Sequence, residues 1–244
     1  MQNTDKPKIQ DEQFWVDAWK RHIETYLANP PRAGFWIKSH FNKVLSVLEI
    51  AGGSCRDSRY LFNQGFNATG TDFDLSTLDY LRKRFPESKF PVLKEDAFAF
   101  SFPDKSFDLT FSNGFWVLFP NDNDVSKLIK EQERITRKYL ISLIHNGDNE
   151  KLVETFRRKA QNDSLYDIRF FYRHEISDLI EQAGIKYKSI KIKKFGGTVD
   201  RLFSAKIKRI FPFLYPVLLR LVPRLYDLQS WSNVERIAVI VELV

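Results

Sequence analysis

The sequence predicts an α/β protein on a doubly wound, mostly parallel sheet, and three observations carry the prediction. Strand-like and helix-like segments alternate from residue 44 onward, the pattern of a parallel sheet covered on both faces. A chain of 244 residues with 43% apolar content can bury one sizeable core, so one α/β domain with extensions is expected rather than two domains. An apolar run at 44–50 leads straight into two glycines, where such a sheet would meet a ligand.

Each element follows in chain order. The first dozen residues are polar and read as a disordered tail. "FWVDAWKRHIETYL" then sets Trp15, Ala18, Trp19, Ile23, Tyr26 and Leu27 near helical spacing. "ANPPRAG" breaks this helix, because proline cannot donate to the helix ladder and restricts the residue before it. Residues 1–43 therefore form a tail and helical extension, and 44–244 the main domain.

Val44, Leu45, Val47, Leu48 and Ile50 mark the first strand, at 45–50. A helix near 57–64, a strand at 67–72 and a helix at 75–85 follow. The last has Leu75, Leu78 and Leu81 about one turn apart, Asp74 or Ser76 as its cap and Pro86 as its stop. Strands are expected at 90–95, 107–111 and 139–144, with a charged helix at 124–137 before the third of these. "HEISDLIEQAG" reads as an amphipathic helix ended by Gly184, "IKYKSIKIKKF" alternates with period two, and "VERIAVIVELV" closes the chain as a strand.

The loop after the first strand reads "EIAGGSC". Gly52 and Gly53 permit close backbone approach, and the helix behind them offers unpaired N–H groups. Asp72 ends the second strand about twenty residues on, where an acid can bond a ribose diol. A dinucleotide loop would want G-x-G-x-x-G, and A-G-G-S-C-R at 51–56 fits that poorly.

These residues resemble the class I S-adenosylmethionine-dependent methyltransferases, over about Val44 to Phe195 and again in the last strand. The family's first motif is an acid followed by x-Gly-x-Gly-x-Gly; Glu49 and Gly53 match it, and Ala51 and Cys55 stand where two further glycines are usual. A left-handed backbone at either position would be strained. "GTDFDLSTLDYLRKRFP" is similar to the second motif, with Asp72 as the ribose-binding acid. Asp96 and Ala97 fall at the adenine amino group, and Asn113 and Gly114 at the end of the fourth strand. The resemblance implies Glu49, Ala51, Gly52, Gly53, Asp72, Asp96, Ala97, Asn113 and Gly114 as cofactor residues. It also implies a seven-stranded sheet with an antiparallel last strand and S-adenosyl-L-methionine as cofactor; residues 199–228, before that strand, are expected as a helical insertion that departs from the minimal fold. The structural alternatives are plain: the glycines could mark an ordinary tight turn, and Asp72 a helix cap.

With this cofactor the protein has to hold a nucleophile in line and exclude water. A hydroxyl acceptor would gain from a general base, and His145 at the end of the fifth strand is the best-placed titratable group, although a lone histidine is more often structural. His174 reads as a cap or surface residue. Phe115 and Trp116 are expected to wall the acceptor pocket unless they are core. Residues 148–173 fall where the family often places a substrate lid, with Tyr172 and Arg173 as its pocket residues. "PNDNDV" lacks the glycine and distant glutamate of a calcium loop and reads as helix capping; no metal is expected.

The expected function is methyl transfer to a small-molecule or lipid-linked acceptor, most simply at a hydroxyl oxygen. The alternative is a non-catalytic member that binds cofactor or a partner protein, motivated by the two absent glycines. An RNA methyltransferase would suit the net charge of +7, but no RNA-binding appendage is recognisable, so nucleic acid is not the expected partner. Only Cys55 is present, so an intramolecular disulfide is excluded, and the N-terminal residues lack the apolar core of a signal peptide; a cytoplasmic protein is expected.

Residues 199–228 hold six Lys or Arg and two Asp among bulky apolar side chains, a net +4. Ten uncharged residues at 210–219, interrupted by Pro212 and Pro216, are too few to span a bilayer. The stretch suits peripheral contact with an anionic membrane, with Lys206, Lys208 and Arg209 at the headgroups and Phe211, Phe213, Leu214, Leu218 and Leu219 in the acyl boundary. Packing on the sheet, as a lid or against a second subunit in a homo-oligomer, is the alternative.

Overall fold

The computed structural model describes residues 12–43, 45–203 and 208–244. The expected tail through residue 11, Val44 of the first strand, and Lys206 lie outside the described residues, as does the side chain of Lys208. Seven strands form one sheet in the order β3-β2-β1-β4-β5-β7-β6. These are β1 (Ser46–Ile50), β2 (Asn67–Asp72), β3 (Val92–Lys94), β4 (Phe107–Asn113), β5 (Thr136–His145), β6 (Tyr187–Gly197) and β7 (Val234–Leu243). The last strand runs antiparallel between β5 and β6, so its beginning lies at the edge where the parallel strands end.

Strand periodicity divides the core between the two faces. Val47, Leu109, Phe111, Ile141, Leu143 and Ala238 pack with Trp36 and Ile37 of α2 (Arg32–His40) and Leu61 of α3 (Arg56–Asn63). Their neighbours Leu140, Ile144, Ile237, Val239 and Val241 face α5 (Asp122–Ile135) and α7 (Ile176–Gln182). Both sets are almost completely buried, which is why the strands read as near-continuous apolar runs. Helix α4 (Leu75–Arg84) is capped by Asp74, whose carboxylate accepts the Ser76 and Thr77 backbone N–H groups.

Two helices went unread in the sequence. The prolines after α1 (Glu12–Ala28) both stop that helix and start α2: Pro31 is the N-cap of α2, and its carbonyl accepts the Phe35 N–H at 2.9 Å. Within 148–173 lies α6 (Glu150–Ala160), capped by the Asn149 side chain. Residues 198–228 make short helical turns at Thr198–Leu202, Lys208–Ile210 and Tyr215–Leu219 and a 3-10 stretch at Val222–Leu228. Leu219, Val222 and Tyr226 pack into the core beside α2, while Phe211, Phe213, Leu214, Val217 and Leu221 remain exposed. The insertion therefore packs on the sheet with one side and leaves the other bare.

Candidate methyltransferase site

The loop leaving β1 is left-handed at each of three alternate positions: Ala51 (φ 49°), Gly53 (φ 52°) and Cys55 (φ 45°). Only the middle one is glycine, so the strain anticipated at Ala51 and Cys55 is present. Compensating contacts hold the loop. The Gly52 N–H bonds the Thr71 carbonyl at 2.8 Å and the Cys55 N–H the Gly52 carbonyl at 2.9 Å. The Cys55 side chain is buried against Leu81, Phe90 and Ile23, and its Sγ fills the space that a Cβ on Gly52 or Gly70 would need. A Cβ on Gly53 would lie 1.9 Å from the ring of Trp19, so α1 covers the loop directly.

Three carboxylates organise this end of the sheet. Asp72, at the end of β2, accepts the Gly53 N–H on Oδ2 at 2.7 Å and the Asp74 N–H on Oδ1 at 3.0 Å. Burial raises its pKa, and those backbone bonds oppose the rise. Glu49 is buried and turned toward α3, accepting the Ser58 N–H at 2.9 Å and a short bond from the Ser58 hydroxyl. Burial, and then the charge of Asp57, push its carboxyl up to about 8. Asp57 accepts the Gly34 N–H at 2.9 Å, anchoring α2 to the start of α3.

The strand ends surround a cavity of about 760 Å³. Glu49, Ala51, Gly52, Asp72, Asp96, Ala97, Asn113, Gly114, Phe115 and His145 all line it, so one space unites almost the whole predicted set; Gly53 stands behind it under Trp19. Phe73 and Phe98 flank the Asp72 and Asp96 end. At the other end His145 is buried, with its ring against Phe156 and Phe170 and no hydrogen-bond partner for Nδ1. Burial, and then the adjacent Arg236, hold its pKa well below the usual imidazole value, so the ring is neutral at physiological pH.

Three predicted pocket residues lie elsewhere. Trp116 is 1% exposed in the core under α5 and α7, because the 3-10 turn Trp116–Leu118 rolls it inward and presents Phe115 and Leu118 to the cavity. Tyr172 packs where a Cβ on Gly147 would go, and Arg173 bonds Asp148 at 2.5 Å and covers the Trp231 ring. The chain passes His145 at Phe170 and then turns into the 3-10 helix Arg173–Glu175, outside the cavity. Residues 148–173 do contribute to the lining, through Phe156, Leu165, Tyr166 and Ile168. Trp15, Trp19 and Tyr26 of α1, Arg32, Arg56 and Arg236 were not anticipated; no local pattern distinguishes them from core aromatics or solvated bases.

Residues 48–141 match the methyltransferase domain family. No curated protein sequence matches the chain. Among solved structures it is similar to the methyltransferase in complex with the Trm112 methyltransferase activator of Haloferax volcanii, at TM-score 0.62 and 14% identity, covering 96% of this chain and 99% of that one. An S-adenosylmethionine-dependent methyltransferase of Thermotoga maritima gives TM-score 0.61 at 17% identity, over 95% of this chain and 98% of that one. One from Archaeoglobus fulgidus gives 0.56 at 19%, over 95% and 100%. The domain implies S-adenosylmethionine as cofactor. The cavity suits it: a side-chain-free stretch at Gly52, a buried carboxylate at Asp72 and an aromatic-flanked slot at Asp96 line one space. Residues 48–141 are thus a methyltransferase domain, and the chain around it has the fold of S-adenosylmethionine-dependent methyltransferases of known structure.

Proposed function

We propose that the protein methylates a hydroxyl oxygen of a small-molecule or lipid-linked acceptor. The observation that supports this is His145, a neutral buried imidazole that lines the cavity beside Phe156. Bound S-adenosylmethionine supplies an electrophilic methyl carbon on a sulfonium, so the protein has only to position the acceptor and accept its proton. His145 would accept the hydroxyl proton at the ring nitrogen that faces the cavity. Its low pKa makes the imidazolium acidic, so the proton passes readily to water once product leaves. Asp72 would hold the ribose, Asp96 and Ala97 the adenine, and Asn113 and Gly114 would complete the cofactor site at the end of β4. Phe115, Phe119, Phe156 and Ile168 exclude water, with 148–173 serving as the lid.

The exposed face of 209–221 supports delivery of a lipid-linked acceptor from an anionic membrane surface. Its apolar side chains are accompanied by exposed Arg209 and Arg220, and no helix among the described residues is long and apolar enough to cross a bilayer. Extracts of cells lacking the protein, incubated with it and labelled cofactor, should yield one labelled product bearing the methyl on oxygen. His145→Ala should lower that turnover about a hundredfold and leave affinity for S-adenosylhomocysteine unchanged. Equal turnover would remove the base from the mechanism, and a methyl found on nitrogen or carbon would overturn the hydroxyl reading. Sedimentation with anionic vesicles at low salt, weakened by Arg209→Glu with Arg220→Glu, tests the surface; equal recovery of both proteins in the supernatant would exclude it.

A further inference from the structure

The acceptor end of the cavity carries a cation whose charge is incompletely answered. Arg236, the third residue of β7, stands directly across from His145 in the antiparallel register, so both side chains lie on the same face at the strand ends. Its Nη1 donates to Oδ1 of Asn113, a neutral amide, and lies 3.2 Å from where a Cβ on Gly114 would be. Nε is buried with no hydrogen-bond partner. The nearest carboxylate is Glu235, 3.4 Å from Nε, and it is already engaged. Arg32 takes both of its oxygens, Nη2 to Oε1 at 2.8 Å and Nη1 to Oε2 at 2.9 Å, and Asp200 as well at 2.8 Å. Arg56 does not relieve the shortage. It adds a second guanidinium to the same cavity, 3.7 Å from Asp57 and bonded to the Tyr26 carbonyl at 2.7 Å. Burial lowers the pKa of Arg236, and the nearby Arg32 and Arg56 add to that against the pull of Glu235. A buried guanidinium with one neutral acceptor and one shared carboxylate gains from a further anion.

We propose that Arg236 recognises an acidic group on the acceptor, a carboxylate or a phosphate. The acceptor is then an amphipathic acid, its apolar body lying along Phe115, Phe119, Phe156 and Ile168 and its charge at the start of β7. This rests on the reading of the cavity as a methyltransferase site and names the class of molecule that enters it. Gly114 is part of the same arrangement: with φ 81° and the guanidinium above it, it leaves room for Arg236 to reach Asn113. The arrangement confers specificity, because an uncharged analogue would leave the guanidinium desolvated and unpaired.

The test uses the full chain saturated with S-adenosylhomocysteine and measures decanoate, decyl phosphate and decanol by calorimetry. At least one acid should bind about tenfold or more tighter than decanol, as expected for a charge-assisted bond, and the tighter acid identifies the group. Arg236→Met should abolish the preference, and Arg236→Lys should keep part of it by holding a charge in place. Affinity for S-adenosylhomocysteine should be unchanged in both variants. Equal affinity for acids and alcohol in the parent, or binding of none of them, overturns the proposal. A tenfold loss of S-adenosylhomocysteine affinity in Arg236→Met also overturns it, since the arginine would then serve the cofactor's own carboxylate. Failure of the parent to bind S-adenosylhomocysteine at all would instead overturn the methyltransferase reading. Should Arg236→Met melt early, Arg236→Lys decides alone: a preference reduced but still present supports the charge contact, and a preference either unchanged or lost altogether in a folded protein refutes it.

Discussion

Asp72 does two jobs that one substitution can separate. Its two oxygens hold the Gly53 and Asp74 N–H groups at 2.7 and 3.0 Å, and the same carboxylate faces the cavity. Asp72→Asn keeps the volume but leaves a single acceptor oxygen, so one backbone N–H faces an amide NH₂. Loss of one hydrogen bond to a charged group costs about 1.5–3 kcal/mol. Part of this is returned, because burial already disfavours the charge and the amide is neutral. A net loss of about 1–2 kcal/mol in urea unfolding is expected. Asp72→Ala frees both N–H groups and should lose more. Binding is a separate reading: removal of the ribose contact should weaken S-adenosylhomocysteine about ten- to a hundredfold in either variant, measured by calorimetry on folded protein. If Asp72→Ala binds it as the parent does, the placement of the ribose on this carboxylate is wrong. Lost stability with unchanged binding would reduce Asp72 to a clamp on the loop.

Glu49 predicts a pH dependence. Its folded pKa is about 8 against an ordinary 4.5, so between those values the folded chain keeps a proton that the unfolded chain has lost, and stability falls as pH rises, by up to about 1.4 kcal/mol per unit. His145 acts oppositely below its ordinary 6.5, where the unfolded chain takes up a proton that the buried ring does not. The Glu49 slope should therefore show most clearly from about pH 6.5 to 8, and Glu49→Gln should flatten it; parallel profiles for the two proteins would refute the assignment. Ala51→Gly should leave stability within about 0.5 kcal/mol of the parent, since relief of left-handed strain offsets a methyl group and added unfolded-state entropy. Cys55→Gly should lose about 1 kcal/mol, because it also empties a fully buried site; the reverse order in urea unfolding would mean that strain outweighs packing here. Arg32→Met should cost about 3 kcal/mol by stranding Glu235 and Asp200, and a thermal midpoint equal to the parent's would show that the two carboxylates find other partners.

The fold was legible because its signals are local. The apolar runs at β1, β4 and β5, the period-two alternation at β6, the Asp74 cap and the Gly184 stop each act over a few residues, and their order implied a parallel sheet with its ligand at the strand ends. That the glycine loop, Asp72, Asp96, Asn113 and His145 would gather around one cavity was readable for the same reason: each lies at or just beyond a strand end, and strand ends are visible in the pattern. Local signals also misled. Trp116 follows β4 as closely as Phe115 does, and only the 3-10 turn decides which ring faces the cavity. The rest depended on contacts between distant parts of the chain. Trp19 closes over Gly53 from 34 positions away, and Arg236 reaches Asn113 across 123. Nothing near Arg236 in "VERIAVIVELV" marks it apart from a surface base on an edge strand. Periodicity indicates which face of an element is buried, but which charges then meet, and whether one is left without a counter-charge, is decided when β7 inserts antiparallel between β5 and β6 and brings its first residues to the carboxyl edge of the sheet.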